Sequence, residues 1–177
     1  DRDTLSIAGS RKVYITHDAF ERIPPLEEFT NKRCTNCPLM LYYLDKAMEH
    51  SDGNVLYVTH HTGFQKDAFT LPMDEDLLYL FGSDYTYNPA VMYDRRVAKG
   101  EEFPTVGANE ASTAPYLAAL TDAAARPAMA KVDVTVEKDD AGKVTCRVSG
   151  RINSEMAASG QALYLSAYLV ENGLTTD

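Results

Sequence analysis

The sequence predicts an α/β domain over residues 1–127, followed over residues 128–177 by a small antiparallel all-β region that reads as an incomplete β-sandwich. Two observations carry this. Within roughly 35 residues a strand-like run, a helical apolar stripe and a second strand-like run succeed one another, which is the pattern of a β-α-β unit. Beyond Pro127 the apolar residues change from helical spacing to strict alternation with polar ones, the pattern of half-buried strands.

Taken in order, residues 12–16 (KVYIT) form a short strand, and Pro24-Pro25 breaks the chain before the next element. Residues 26–30 (LEEFT) form the second strand, with Glu27 on its exposed side. From residue 35 to 50 the chain reads as a helix, because Cys37, Met40, Leu41, Leu44 and Met48 recur on one face. Ser51-Asp52-Gly53-Asn54 stops it, and residues 55–59 (VLYVT) read as a buried strand, parallel to the LEEFT strand. Residues 73–81 form a helix with Asp74, Glu75 and Asp76 at its positive end. Residues 90–93 (AVMY) form a strand entered directly from Asn88-Pro89, and an edge strand lies near 103–106. A helix spans 113–126, with Ser112 or Thr113 as cap, Pro115 in its first turn and Pro127 just beyond its end.

In the last region Val132, Val134 and Val136 alternate with polar residues, Asp139-Asp140-Ala141-Gly142 turns the chain, and Val144, Cys146 and Val148 alternate again. Residues 131–138 and 143–150 therefore read as a hairpin, with Cys146 a buried thiol among valines. Residues 162–170 supply a third strand, with Leu163, Leu165, Ala167 and Leu169 on one face. Three strands bury too little apolar surface to stand alone, so the apolar face is expected to pack on the first domain, on a second copy of the chain or, the favoured reading, on residues beyond Asp177.

Composition narrows the function classes. The 177 residues are 45% hydrophobic and 24% charged, with a net charge of −9. That is a globular balance, and it lacks the concentrated basic surface that nucleic acid binding needs. No apolar run reaches the ~18 residues of a membrane span. Three cysteines in a chain of this length do not make a disulfide scaffold. Two of them form Cys34-Thr35-Asn36-Cys37, a redox candidate or half of a metal site. Zinc would need two further ligands, and His17, His60 and His61 show no paired ligand spacing. A c-type haem would need His where Pro38 stands. The predicted chemistry calls for no cofactor and no metal.

A Cys at a helix N-terminus meets unsatisfied N–H groups and the positive end of the helix dipole, which stabilise the thiolate that performs disulfide exchange. Cys34, placed in the first helical turn, is the attacking sulfur and the more exposed of the pair. Cys37, one turn on, is the resolving sulfur. Lys32 and Arg33 add positive potential, and Thr35 and Asn36 lie between the sulfurs. Glu28, six residues before Cys34, is placed either to point beneath the pair as a buried proton acceptor or to sit solvated on an edge strand. Pro89, if cis, brings the backbone of Asn88 against the pair. The competing reading of Cys34 and Cys37 is a retained structural bridge without turnover, and that of His60-His61 is loop contacts.

Cys-x-x-Cys after a strand, an acid six residues upstream and a proline opening a later strand together resemble the thioredoxin superfamily over residues 12–126. The resemblance implies a mixed sheet flanked by helices, a redox pair at Cys34 and Cys37, a buried acid at Glu28 and a cis proline at Pro89. This chain differs from classical thioredoxins in having Arg33 before the first Cys, Pro38 after the second, and no Trp. Glu-Glu-Phe-Thr at 27–30, Cys-x-x-Cys-Pro at 34–38, His60-His61, Asn88-Pro89 and the β-rich end also resemble the outer-membrane-protein-28-related lipoproteins of Bacteroidales-type bacteria. That resemblance implies an exported protein of the periplasm, outer membrane or cell surface, with a lipid anchor upstream of Asp1. Two functions are consistent with these features: a thiol–disulfide oxidoreductase acting on protein or peptide thiols, or a surface binding or adhesion lipoprotein that keeps the scaffold without turnover.

Overall fold

The computed structural model describes residues 14–16, 20–51, 54–63, 65–80, 82, 87–107 and 111–175. In chain order the elements are β1 (Tyr14–Thr16), β2 (Pro25–Thr30), α1 (Cys37–Glu49), β3 (Leu56–His61), α2 (Pro72–Leu78), β4 (Ala90–Tyr93), β5 (Thr105–Gly107), α3 (Ala114–Ala125), β6 (Ala130–Lys138), β7 (Val144–Asn153) and α4 (Ser154–Ser159). They belong to two compact units. One comprises Arg22–Arg126 with Ala167–Asp177, and the other Asp1–Glu21 with Pro127–Ser166.

The first unit is built on a four-stranded mixed sheet of order β3-β2-β4-β5. β2 runs parallel to β3, as the β-α-β pattern requires, and antiparallel to β4, which is antiparallel to β5. The two central strands are buried on both faces, which explains the continuous apolar run AVMY where alternation would mark a one-sided strand. On one face Leu26, Val91, Tyr93 and Val106 pack against Met40, Leu44 and Ala47 of α1 and Tyr116, Leu120 and Ala123 of α3. On the other, Phe29 and Met92 pack against Leu78 of α2. This order and layering, with α1 crossing from β2 to β3, are compatible with a thioredoxin-like fold.

Two expectations for this unit are corrected. The strand VLYVT is an edge strand, and Leu56 and Tyr57 are exposed. An apolar run alone does not distinguish a central from an edge strand. Glu27 is buried rather than solvated, at 6% exposure, because the face of β2 opposite α1 is also covered.

In the second unit β6 and β7 form the predicted hairpin, with Val134 opposite Val148 and Val136 opposite Cys146. The third strand is not 162–170, which has no strand structure, but β1, which pairs with β7 in parallel. Alternation can give a segment one apolar face, but a strand also needs backbone partners, and the outer edge of β7 is already occupied by β1. The valines of the hairpin are exposed, Val134 at 57%, and the Cys146 thiol is exposed with them rather than buried. The short α4 comes directly after β7. Asn153 caps it by accepting the Met156 N–H at 2.8 Å, and Gly160 ends it in the left-handed region.

Candidate functional site

Cys34 and Cys37 are joined in a disulfide with their Cα atoms 5.4 Å apart. The helix begins at Cys37, with Asn36 as N-cap and Pro38 in the first turn, where a missing N–H has no intrahelical acceptor to lose. Cys34 therefore lies in the turn before α1, not in its first helical turn as expected. Its N–H donates to the Asn31 carbonyl at 3.0 Å. Cys37 is 4% exposed, and Cys34 is partly open to solvent.

Cys34 opens on a polar cleft of about 210 Å³. Thr35, Asn36, Asn88 and Pro89 line it with Cys34, and Asn31, Arg33 and Gln65 complete the lining. The Asn88-Pro89 bond is cis and leads straight into β4. Of the residues singled out in the sequence, the cleft gathers Cys34, Thr35, Asn36, Asn88 and Pro89; Cys37 is buried at the start of α1, and Glu28 lies in the sheet.

The walls are held by a hydrogen-bond network that sequence reasoning missed. The buried Asn31 accepts the Arg33 N–H through Oδ1 at 2.8 Å, and its amide donates to the Gln65 carbonyl. Asp67 accepts the Lys32 N–H at 2.9 Å, the Phe69 N–H at 2.9 Å and a hydrogen bond from His61 Nδ1 at 2.8 Å. Burial pushes the Asp67 carboxyl up, but these donors outweigh it and hold it at about 2. Asp67 thus ties the loop before Cys34 to the end of β3. Asn88 donates its amide to the Thr62 carbonyl at 3.3 Å. Gly63 has φ +117°, and a Cβ there would fall on the Asn88 side chain. The only local signals were a turn-forming Asn just after one strand and the Thr62-Gly63 pair just after the next.

Glu28 is 2% exposed on the α1 face of β2. It accepts hydrogen bonds from the Tyr57 hydroxyl and from Thr59 Oγ1, the latter at 3.1 Å, both on the neighbouring β3. Burial pushes its carboxyl above the ordinary range despite these donors. An acid of raised proton affinity therefore lies in the strand that leads to the cysteines.

Glu27 faces the other way. Arg95 grips it with two hydrogen bonds, Nε at 2.8 Å and a terminal nitrogen at 2.7 Å. His60 lies between two carboxylates, with Nε2 3.3 Å from Glu27 and Nδ1 3.1 Å from Asp74, and its ring stacks on Phe29. Tyr168 closes over this cluster, bonded to Arg95 through its hydroxyl and edge-on to His60. Burial raises the Glu27 carboxyl, but Arg95 and His60 overcome it and hold it at about 2. Burial opposes charge on His60, and the two carboxylates prevail and raise it. His60 and His61 are thus structural, in the β2–α2 layer and in the loop anchor. His17 lies outside the described residues.

Among the described residues no group of three or more His, Cys, Asp or Glu is arranged to hold a metal ion, and no helix is long and apolar enough to cross a membrane. No family model, curated protein or solved structure matches the chain.

Proposed function

We propose that this protein is a thiol–disulfide oxidoreductase whose Cys34–Cys37 pair exchanges electrons with protein or peptide thiols and disulfides in the cell envelope. The observation that carries this reading is the asymmetry of the pair: Cys34 is open on a polar cleft, and Cys37 is buried where α1 begins. In the reducing direction the Cys34 thiolate attacks one sulfur of a substrate disulfide. The substrate S–S bond breaks, a mixed disulfide forms at Cys34, and the departing sulfur leaves as a thiolate that takes up a proton. Cys37, deprotonated, then attacks Cys34, restores the internal disulfide and releases the second substrate thiol. Two electrons have passed to the substrate, and an external dithiol returns the pair to its reduced form.

Positive charge from Lys32 and Arg33 and the N-terminal end of α1 favour the Cys34 thiolate. Glu28, with its raised affinity for a proton, takes the Cys37 proton in the resolving step. Thr35, Asn36 and Asn88 hold the substrate chain across the cleft, and Pro89 fixes the start of β4 beside it. The resemblance to the outer-membrane-protein-28-related lipoproteins supports the envelope location and a lipid anchor. The second reading, surface binding without turnover, is favoured by the exposed valine face of β6 and β7.

Insulin reduction with dithiothreitol separates the two. Cys34→Ser abolishes the protein-dependent rate, and Cys37→Ser accumulates mixed disulfides with its partners. If both variants behave as the wild type, the exchange reading falls and the binding reading stands.

A further inference from the structure

The whole chain carries a net charge of −9, yet among the described residues no carboxylate lines the cleft beside Cys34. The charged residue of that lining is Arg33, exposed, with Lys32 beside it in sequence. The nearest acid in sequence, Asp67, is turned inward, its side chain 3% exposed and engaged by His61 and the Lys32 and Phe69 N–H groups. The neutral remainder of the lining is largely amide: Asn36 and Gln65, together with Asn31 and Asn88, whose amides also hold the walls. Amides pair with peptide N–H and C=O groups, and a lone cation selects charge.

Resting on the exchange reading above, we propose that the cleft selects peptide disulfides flanked by Asp or Glu, and that Arg33 is the residue that selects them. An acidic side chain next to the substrate cysteine lies against Arg33 while the peptide backbone lies on the amides. The net charge of −9 opposes an acidic partner at long range, and the cleft lining offers that partner a cation and, among the described residues, no carboxylate. The attraction acts on encounter and binding, so the preference between peptides enters through KM, and any change that Arg33→Glu makes to the Cys34 thiolate is common to all three peptides and cancels in their ratio.

The test uses three reporter peptides with the same central mixed disulfide, flanked by Glu, by Gln or by Lys. Each is reduced by the wild-type protein, Cys34→Ser and Arg33→Glu, with dithiothreitol as the reductant. The expected result is a kcat/KM for the Glu peptide roughly two- to fivefold above that for Gln, with Lys lowest, the range of one exposed ion pair. The preference lies in KM, shrinks as salt rises towards ~0.5 M, and reverses in Arg33→Glu. Equal kcat/KM on all three peptides overturns charge selection and leaves exchange standing. Selection that persists in Arg33→Glu overturns the role of Arg33. Rates no higher than those of Cys34→Ser on every peptide overturn exchange itself, and selection with it.

Discussion

Replacing Glu27 with Gln tests whether the buried ionic cluster behind the sheet holds the first unit together. Gln has nearly the same shape and keeps one oxygen acceptor, so the change removes charge with little change in packing. The magnitude comes from the carboxyl's fall from its ordinary 4.5 to about 2. About 1.4 kcal/mol per pKa unit makes the ionised, Arg95-bound form worth roughly 3 kcal/mol. The same range comes from the penalty of leaving one partner of a buried ion pair alone, about 3–5 kcal/mol, lowered here because Arg95 is partly open to solvent. The expected loss on urea unfolding at pH 7 is about 2–3 kcal/mol, or on the order of 10 °C in Tm.

The pH dependence has a definite sign. Glu27 is an acid with a depressed folded-state pKa, so its contribution is present above about 4.5 and fades as pH falls towards 2. By pH 3 the wild type has given up about 2 kcal/mol of it, so the gap between wild type and Glu27→Gln narrows in acid. His60, raised above its ordinary 6.5, contributes in the opposite direction: its share is present below 6.5 and is lost as pH rises past its folded value. Glu27→Gln removes one of its two carboxylate partners, so the variant also loses less stability on the alkaline side. A loss under about 1 kcal/mol at pH 7, or a gap of equal size at pH 7 and pH 3, refutes the reasoning.

Gly63→Ala forces a side chain into a backbone held at φ +117° and onto Asn88, and should destabilise by about 1–3 kcal/mol. A double-mutant cycle with Asn88→Ala should return part of that loss, and simple additivity would show that the Asn88 contact is not the cause. Tyr57→Phe removes a donor to the ionised form of Glu28 and should cost about 1–3 kcal/mol near neutral pH. Because Glu28 is an acid with a raised folded-state pKa, its ionisation already costs stability as pH rises above 4.5. Tyr57→Phe should steepen that fall, and identical slopes for variant and wild type across pH 5 to 8 would contradict the hydrogen bond's role.

The parts of the fold that depend on local pattern were legible in the sequence. The stripe through Met40 and Leu44 and the AVMY run predicted elements that the structure contains, because burial on one stripe or on both faces leaves a periodic mark. What depends on partners distant in sequence was not legible. Nothing within VLYVT says that it lies at the edge of its sheet, and nothing within 162–170 says that the edge of β7 is taken by β1. The cysteine pair and Asn88-Pro89 were found because each carries a local signature, and the structure brings Cys34 and Asn88-Pro89 to one cleft. Asn31, Gly63 and Asp67 were not, because an amide, a glycine and a carboxylate in loops acquire their roles only from partners such as Gln65, Asn88 and Lys32, separated by 25 to 35 residues.

The two consecutive glutamates of β2 show how such partners turn identical side chains to opposite uses. Strand geometry sends them to opposite faces of a sheet that is covered on both sides, so each is buried and each is pushed towards holding its proton. On the α2 side a guanidinium and an imidazole answer Glu27, and it remains ionised as the centre of a structural cluster. On the α1 side the neutral hydroxyls of Tyr57 and Thr59 answer Glu28, so burial prevails and its proton affinity rises. A carboxylate already neutralised by Arg95 is a poor proton acceptor; one that burial leaves short of partners is a good one. The strand that leads to the Cys34 turn therefore carries, on its two faces, one glutamate held ionised by its partners and one whose proton affinity burial raises.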